Sequence, residues 1–277
     1  TRRNQKDSGV TSMKIGIIGL GVVGNAIKEG FVKLGHAIHC HDLKLNTSID
    51  DVLITEIVFV CVPTPQGDDG SCDTQIIKSV LQELHNKDYK GIVAIKSTVE
   101  CGFTQNAINE FENLTLCFVP EFLRERCAVD DFIYNHNLLA VGTHDKFVFE
   151  KLVEAHGDYP KDTVKLKPTE AEILKYYNNV FAAYKIIFAN IMAEVCDRLD
   201  CDYTTVKDAF VKFGRCKDTY LDVNENLKGY GGMCLPKDVK AMTKLLEKLD
   251  IHFETFKSID ADNGKLKTTV FNGMRKQ

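Results

Sequence analysis

A glycine-rich segment near the amino terminus constrains the fold more than any other feature of the chain. Residues 19–24 read GLGVVG; they follow the apolar run 14–18, typical of a buried strand, and precede helical spacing over 25–34. Glycines at this spacing permit a tight turn, close approach of a pyrophosphate to the backbone and close helix–strand packing. The pattern predicts a phosphate-binding turn at a helix N-terminus. Its residues are Gly19, Gly21, Val22, Val23 and Gly24.

The preference for one dinucleotide rests on an acidic residue at the end of the second apolar run. Asp42 follows the strand pattern 37–41, at the distance from the glycine loop that the fingerprint requires. A carboxylate accepts hydrogen bonds from a ribose diol and repels a 2′-phosphate. Asp42 therefore predicts NAD as the cofactor, although Lys44 nearby weakens the preference slightly.

Short apolar runs alternate with helical patterns as far as residue 165. We predict strands over 14–18, 37–41, 57–62, 92–96, 115–119 and 138–141. Helices are predicted between them, including one over 74–84, and later in the chain over 204–213 and 237–249. This alternation predicts an α/β fold with a doubly wound parallel sheet of the Rossmann type, spanning residues 13–165. Met13 resembles a start site, so residues 1–12 are expected to be an extension outside the fold.

The pattern changes at Pro168, and we predict an all-helical domain over residues 166–277. Residues 169–199 contain neither Gly nor Pro and carry apolar residues at helical spacing over many turns. Thr169 and Glu172 resemble a capping box at the start of this helix. Its apolar stripe is wider than one small domain is expected to cover, which predicts a homodimer formed through the long helix.

Composition excludes several classes of partner. The 277 residues carry a formal net charge of −4, which is unsuited to broad nucleic-acid binding. The sequence has no run that approaches the roughly 20 apolar residues of a membrane span, so we expect no membrane-spanning helix. Residues 1–12 lack the apolar core of a signal peptide. The ten cysteines include no CxxC pair, and the spacing of Cys196 and Cys201 fits no common zinc site. We expect no metal, reduced thiols and a cytoplasmic location.

Cys234 differs from the other nine cysteines, which are expected to be small core residues. It follows Gly231 and Gly232, which allow the backbone to bend closely around it, and it precedes a helical pattern with Pro236 in the first turn. Lys237 is close by. A helix N-terminus and a neighbouring cation both favour a thiolate, so Cys234 is predicted to be a nucleophile.

Several segments together resemble the UDP-glucose/GDP-mannose dehydrogenase family, and they occur in the family's order. They are residues 61–65 (CVPTP), 69–73 (DGSCD), 96–99 (KSTV), 120–125 (PEFLRE) and 231–238 (GGMCLPKD), with Lys175 and Asn179 on the long helix. The resemblance runs from Met13 to about residue 250. It implies NAD-dependent oxidation of the C6 alcohol of a nucleotide sugar, UDP-glucose before others, to a carboxylate.

The resemblance also implies roles for individual residues. Lys175, with a water and Asp238, removes the alcohol proton, and Cys234 attacks the resulting aldehyde to form a thiohemiacetal and then a thioester. Glu121 activates the water that hydrolyses the thioester, while Thr98 and Asn179 position that water. The further cofactor-binding residues are Val62, Pro63, Thr64, Ser97, Thr98 and Glu125. The substrate-binding residues are Phe122, Leu123, Lys175, Asn179, Tyr230, Gly231 and, from a partner subunit, Arg215.

The chain departs from the family pattern at several positions. Arg126 stands where the family usually has Gly, Met233 where Ser is common, and Glu100 where Pro follows Ser-Thr-Val. The interval from Arg215 to Cys234 is longer than expected. The family continues with another α/β domain that holds the nucleotide, whereas this sequence ends at Gln277, which predicts a short form.

Three alternatives to an active short dehydrogenase stay open at the level of the sequence. One is a fragment or degraded relative that binds NAD but turns over slowly. Another is a 3-hydroxyacid dehydrogenase, which also pairs a Rossmann domain with a helical domain bearing Lys and Asn, but whose chemistry has no use for Cys234. The last is a binding or scaffold protein without enzymatic activity.

Overall fold

The strands agree closely with the apolar runs of the sequence. The computed structural model of the chain describes residues 11–67, 69–224, 226 and 228–266, so most of the extension at 1–12 lies outside the described residues. The first two strands have the limits predicted for them. The strands are β1 (Lys14–Ile18), β2 (Ala37–His41), β3 (Ile57–Val60), β4 (Ile92–Ile95), β5 (Thr115–Phe118), β6 (Leu139–Gly142) and β7 (Thr163–Leu166).

The seven strands form one sheet in the order β2-β1-β3-β4-β5-β6-β7. The predicted doubly wound α/β fold is confirmed, but the prediction of a parallel sheet is wrong at one junction. β5 and β6 pair antiparallel through Phe118 and Gly142, whereas the other neighbours run parallel. β7 had no counterpart in the sequence analysis, because its half-exposed TVKL lacks an apolar run.

The helices cover the sheet and then continue as a helical region. Those predicted from spacing are present, with limits shifted by a few residues, and α3, α4, α5 and α9 were not foreseen. The helices are α1 (Val22–Lys33), α2 (Gln75–Asn86), α3 (Phe103–Glu110), α4 (Ala128–Ile133), α5 (Lys146–His156), α6 (Pro168–Arg198), α7 (Tyr203–Lys212), α8 (Leu235–Lys248) and α9 (Thr255–Lys265).

The order of the strands fixes where a ligand belongs. β1, β3, β4 and β5 are mutually parallel neighbours, so their carboxyl ends lie at one edge of the sheet. β2 lies on the other side of β1, and the strand order therefore reverses between β1 and β3. Open α/β sheets bind ligands outside the carboxyl ends of the strands at such a switch point. The segments that follow β1, β3, β4 and β5 are the predicted site segments.

Two apolar cores lie on opposite faces of this sheet. On one face, Phe31 of α1 packs against Phe59 of β3 and Phe132 of α4, with ring centroids 5.1 and 5.2 Å apart. On the other, Ile77 and Leu81 of α2 are fully buried. With both faces covered, β3, β4 and β6 are apolar and buried throughout rather than alternating, as is typical of strands inside a parallel sheet.

The start of α6 differs from the predicted capping box. The helix begins at Pro168, and Glu170 rather than Glu172 reaches back, since its carboxylate accepts a hydrogen bond from the backbone N–H of Lys167 at 2.8 Å. Glu172 is fully buried and accepts from the N–H groups of Gly102 (2.6 Å) and Thr104 (2.8 Å). It thus satisfies the orphan donors of α3, whose N-terminus has no other side-chain cap.

The described chain divides into two compact units. The first comprises residues 11–65 and Cys72–Lys175, and the second comprises the described parts of Gln66–Ser71 and of the segment after Tyr176. The division therefore falls within α6, about ten residues beyond the domain limit proposed from the sequence. The contacts of Glu172 explain why the first turns of α6 belong with the sheet.

The second unit has a small core of its own. Val180, Ala183 and Ile187 of α6 pack with Val239 of α8 and Ile259 of α9. On α6 an apolar stripe is left exposed, with side chains between 44% and 70% accessible: Ile173, Tyr177, Phe181, Tyr184, Phe188, Ile191, Val195 and, just past the helix, Leu199.

By length and composition alone, α6 is apolar enough to cross a membrane. This differs from the expectation that no stretch of the sequence would be apolar enough to span a membrane. The core helix of a globular protein can meet the same criteria of length and composition. In α6, 44% of the apolar stretch is buried within the protein.

Candidate active site

The glycine loop adopts the geometry that its sequence predicts. Gly19 has φ of 92°, and a Cβ there would lie 2.7 Å from the carbonyl oxygen of Cys61. A Cβ on Gly24 would lie 1.9 Å from the carbonyl oxygen of Gly19. No larger side chain fits at either position, because both contacts are with backbone. The first and third glycines therefore hold the turn together.

The second glycine leaves space for a ligand. Gly21 is the N-cap of α1, it has no side-chain cap, and a Cβ there would meet nothing within 4 Å. Val22 and Val23 form the first turn of the helix. Backbone N–H groups at such an N-terminus bind anions through their unsatisfied donors and the helix dipole. The loop therefore fits the diphosphate of a dinucleotide.

Asp42 links the end of β2 to the glycine loop. One carboxylate oxygen accepts from the backbone N–H of Leu20 at 2.7 Å, and the other from that of Lys44 at 2.8 Å. These two hydrogen bonds hold the pKa of Asp42 below its ordinary value. The residue is thus ionised at neutral pH. Since each carboxylate oxygen has two lone pairs, capacity remains for the hydroxyls of a ribose.

The loops after β3 and β4 are tied to each other. The hydroxyl of Ser97 donates to the carbonyl oxygen of Val62 at 2.7 Å. The thiol of Cys72 donates to the carbonyl oxygen of Thr98 at 3.2 Å. Thr98 is partly exposed, as is Thr64, whereas Pro63 is exposed. The structure therefore brings the segments 62–64 and 97–98 together, as the cofactor prediction requires.

Glu121 lies after β5 and is largely buried. Its Oε1 accepts from the backbone N–H of Leu123 at 2.7 Å, and its Oε2 lies 3.0 Å from Nζ of Lys96. The ammonium group of Lys175 donates to the backbone carbonyl of Glu121 and lies 5.8 Å from the ring centroid of Phe122. Leu123 and Lys96 thus contact the carboxylate of Glu121, and Lys175 contacts its backbone carbonyl.

Glu125 takes no visible part in this cluster. It is exposed at the start of a 3₁₀ turn, 125–127, in which Arg126 replaces the usual glycine. The preceding Arg124 binds the carboxylate of Asp131 through Nε (2.9 Å) and Nη2 (2.6 Å). This pair lowers the pKa of Asp131 to about 2. The turn is therefore anchored by Arg124 and needs no glycine at its centre.

In the second unit, Cys234 is exposed at the N-cap of α8, as predicted, and Pro236 lies in the first turn. Asp238 lies one turn further and is fully buried; its backbone N–H donates to the carbonyl of Cys234 at 2.9 Å. Asn179 of α6 donates to Asp238 Oδ2 at 2.6 Å, and Lys237 Nζ lies 3.7 Å from Oδ1. Three predicted catalytic residues therefore form one hydrogen-bonded group.

Among the other nine cysteines, Cys72, Cys117 and Cys196 are buried as expected. Cys201 is exposed, so the expectation of a core position is wrong for it, because it lies past the end of α6. Burial raises the pKa of Cys61 and that of Cys117 to about 12. These two thiols are therefore protonated at neutral pH.

The segment before Cys234 is held by a residue that the sequence analysis missed. The side-chain amide of Asn263, in α9, accepts from the backbone N–H of Tyr230 at 2.7 Å and donates to its carbonyl at 2.9 Å. Gly229 allows this approach, because a Cβ there would lie 2.5 Å from Asn263 Oδ1. Nothing in the local sequence of α9 indicated this contact, which joins positions 33 residues apart.

Tyr230 and Arg215, both predicted substrate contacts, have different surroundings. The hydroxyl of Tyr230 donates to Asp260 at 3.3 Å, and its ring is buried. The guanidinium of Arg215 is exposed, 5.4 Å from the ring centroid of Phe213. Gly231 follows Tyr230 and is partly buried. As substrate contacts, all three stay predictions.

Two family models cover most of the chain. Residues 39–156 match the NAD binding domain of the UDP-glucose/GDP-mannose dehydrogenase family, and residues 169–265 match its central domain. The chain belongs to the UDP-glucose/GDP-mannose dehydrogenase family. Its first unit carries the family's NAD-binding domain, so the predicted cofactor NAD is confirmed, and its second unit carries the central domain.

Curated relatives are similar over most of this chain. UDP-glucose 6-dehydrogenase AglM of Haloferax volcanii is 31% identical, with 83% of this chain aligned. The putative UDP-glucose 6-dehydrogenase YtcA of Bacillus subtilis is 29% identical over the same share. This chain spans 64% and 62% of the lengths of these two family members.

Solved structures agree with the family. A UDP-glucose dehydrogenase from Pyrobaculum islandicum superposes with a TM-score of 0.85 at 26% identity, covering 93% of this chain and 69% of that one. A 3-hydroxyisobutyrate dehydrogenase from Mycobacterium tuberculosis gives a TM-score of 0.74 at 13% identity, covering 92% and 94%. The second similarity concerns the fold alone.

Proposed function

We propose that this family member oxidises the C6 alcohol of a nucleotide sugar to the uronic acid, with UDP-glucose as the first candidate substrate. The observation that carries the proposal is the exposed thiol of Cys234 at the N-cap of α8, one turn from a buried carboxylate that Asn179 holds. A dehydrogenase that stops at the aldehyde has no use for such a thiol. Oxidation to an acid uses it as a covalent carrier of the acyl group.

The first step is removal of the alcohol proton. We assign it to Lys175, acting with a water and with Asp238. The alcohol proton passes to the water and from the water to the carboxylate of Asp238. The hydrogen bond from Lys175 to the Glu121 carbonyl fixes the ammonium group, whose remaining N–H groups donate to the alkoxide oxygen and to the water. NAD, when bound, accepts the hydride in each of the two oxidations.

The second oxidation passes through Cys234. Its thiolate attacks the aldehyde carbon to give a thiohemiacetal, which loses a hydride and becomes a thioester. A water then attacks the thioester carbonyl, with Glu121 taking its proton. Thr98 and Asn179 position that water and stabilise the oxyanion.

The remaining predicted residues bind the ligands. The glycine-loop residues Gly19, Gly21, Val22, Val23 and Gly24 hold the dinucleotide phosphates, and Asp42 holds its ribose. Further cofactor contacts are assigned to Val62, Pro63, Thr64, Ser97, Thr98 and Glu125. Sugar contacts are assigned to Phe122, Leu123, Lys175, Asn179, Tyr230 and Gly231, with Arg215 reaching the site of a partner subunit.

A homodimer through α6 belongs to the proposal. Residues 177, 181, 184, 188, 191 and 195 of the exposed stripe alternate between spacings of four and three, the spacing of a helix–helix seam. A second copy of the same helix offers a matching apolar face. The ten cysteines all lie in the described part of the chain and form no disulfide there, which favours a reducing compartment such as the cytosol. The domain limits of 13–165 and 166–277 belong to the proposal as well.

The experiment compares wild type with Cys234→Ser and with Cys201→Ser, which removes another exposed thiol. Each protein is incubated with NAD and UDP-glucose, and the uronic acid is measured. We expect Cys234→Ser to form no acid and Cys201→Ser to match wild type. Formation of as much acid by Cys234→Ser as by wild type would contradict the proposal.

The same assay separates the alternatives. Turnover of a small 3-hydroxyacid, unaffected by Cys234→Ser, would favour a 3-hydroxyacid dehydrogenase, whose fold this chain shares. NAD binding without turnover of any UDP- or GDP-sugar would favour a degraded relative. Absence of both NAD binding and turnover would favour a scaffold.

A further inference from the structure

Lys96 is a buried charge that the proposed mechanism does not use. It follows β4 directly, its backbone N–H donates to Val60 at 2.9 Å, and only 4% of its side chain is exposed. Lysine is rarely buried to this extent unless it is paired, because desolvation of its charge is costly. Its partner is the carboxylate of Glu121, 3.0 Å from Nζ.

Glu121 depends on that partner in turn. Its side chain is 11% exposed, and burying a carboxylate is costly unless a cation or hydrogen-bond donors compensate for the lost water. The Leu123 N–H contacts Oε1, Lys96 contacts Oε2, and Lys175 contacts only the backbone carbonyl. The nearby His136 supplies no positive charge at neutral pH, because burial lowers its pKa to about 4.

We propose that Lys96 is a positioning residue for the hydrolytic half of the reaction. The inference rests on the proposed function, in which Glu121 is the base. Lys96 fixes the direction of the Glu121 carboxylate through the 3.0 Å contact between its Nζ and Oε2. Each carboxylate oxygen accepts more than one hydrogen bond, so the pair with Lys96 leaves Glu121 able to bind a water.

The step that Lys96 supports is a hydrolysis and needs no oxidant. The water oxygen bonds to the thioester carbon, the carbon–sulfur bond breaks, and the electron pair stays on Cys234 as thiolate. Glu121 takes one proton from the water. The new carboxylic acid loses the other proton to solvent and is released as its carboxylate. Without Lys96, a misdirected Glu121 leaves the acyl group on the sulfur.

The test uses Lys96→Met, which keeps length and removes charge, with Lys87→Met as control. Lys87 forms a lysine–carboxylate pair with Asp50 at 2.6 Å elsewhere in the first unit. After mixing with NAD and UDP-glucose, intact mass reports the acyl adduct and absorbance reports NADH. We expect Lys96→Met to release its first two NADH and then accumulate adduct. Hydrolysis should slow about 10- to 100-fold, less than the full effect of a general base, because Glu121 itself is still present.

A double variant separates positioning from structure. If Lys96 acts through Glu121, Glu121→Gln and Glu121→Gln/Lys96→Met should hydrolyse the thioester at the same rate. The double variant leaves no unpaired buried charge, so this comparison stands even if Lys96→Met alone does not fold. A further fall in the double variant, or hydrolysis by Lys96→Met at the wild-type rate, would overturn the inference. Absence of NADH from wild type would instead overturn the proposed function, and the inference with it.

Discussion

The amide of Asn179 donates a hydrogen bond to the carboxylate of Asp238 at 2.6 Å, which ties the long helix α6 to the helix that begins beside Cys234. Asp238 is fully buried, so its carboxylate depends on this donor and on Lys237 for compensation. The pair holds a proposed catalytic residue in place and joins two helices of the second unit.

Replacing Asn179 by Ala should therefore destabilise the fold. Loss of a buried hydrogen bond to a carboxylate costs about 2–3 kcal/mol, since Oδ2 of Asp238 is left without its amide donor. Urea unfolding measures the change. Asp197→Ala is the control, because Asp197 is exposed near the other end of the same helix and its loss should change stability by less than about 0.5 kcal/mol. Equal effects of the two substitutions would argue against the pair.

A second prediction concerns Glu172, which caps α3 from a different helix. Glu172→Ala removes acceptors from two backbone N–H groups, and we expect a loss of about 2–4 kcal/mol from two charge-assisted hydrogen bonds. Glu170→Ala, which removes one bond at an exposed position, should cost about 0.5 kcal/mol. Thermal or urea unfolding of both variants tests the difference, and similar losses would count against the cap.

Buried histidines predict a loss of stability in acid. Burial lowers the pKa of His136 to about 4 and that of His156 well below its usual range. The unfolded chain then binds more protons than the fold. The stability that the neutral histidines contribute is fully present above the unfolded pKa of about 6.5, and it is lost as pH decreases towards 4.

The measurement is the free energy of unfolding in urea between pH 7 and 4. His136→Gln should lower the number of protons taken up on unfolding by about one. The free energy of unfolding then falls less in acid, by roughly 2 kcal/mol at pH 4.5. His252→Gln is the control, because 86% of that side chain is exposed. An unchanged pH dependence in His136→Gln would show that His136 does not titrate as described.

The exposed stripe of α6 gives a fourth prediction. Phe188→Glu places a charge in the middle of the proposed seam and should convert the dimer to monomers, because the carboxylate would be buried unpaired. Asp197→Lys, at another exposed position of the helix, should leave the mass unchanged. Sedimentation equilibrium measures both. A monomeric wild type would overturn the dimer itself.

The sequence predicted what depends on local pattern. Apolar runs placed six of the seven described strands, and the glycine spacing placed the phosphate-binding turn because only glycine fits at Gly19 and Gly24. The position of Cys234 before a helix followed from Gly231, Gly232 and Pro236. These features are set by residues close together in the chain.

Long-range partners escaped prediction for a physical reason. Glu172 looked like part of a local capping box, yet its contacts lie 68 and 70 residues away. Lys96 gave no sign of pairing with Glu121, and Asn263 none of holding Tyr230. Each pair forms only after strands and helices pack, so spacing along the chain carries no signal for it. The antiparallel β5–β6 junction depends on packing in the same way.

The central claim is that the chain performs two oxidations on one sugar, with Cys234 carrying the acyl group between them. The most direct measurement is the number of NADH formed per molecule of UDP-glucose consumed, with the uronic acid determined in the same sample. The account predicts two NADH and one acid for each sugar. One NADH per sugar with aldehyde as the product, or no NADH while NAD binds, would contradict it.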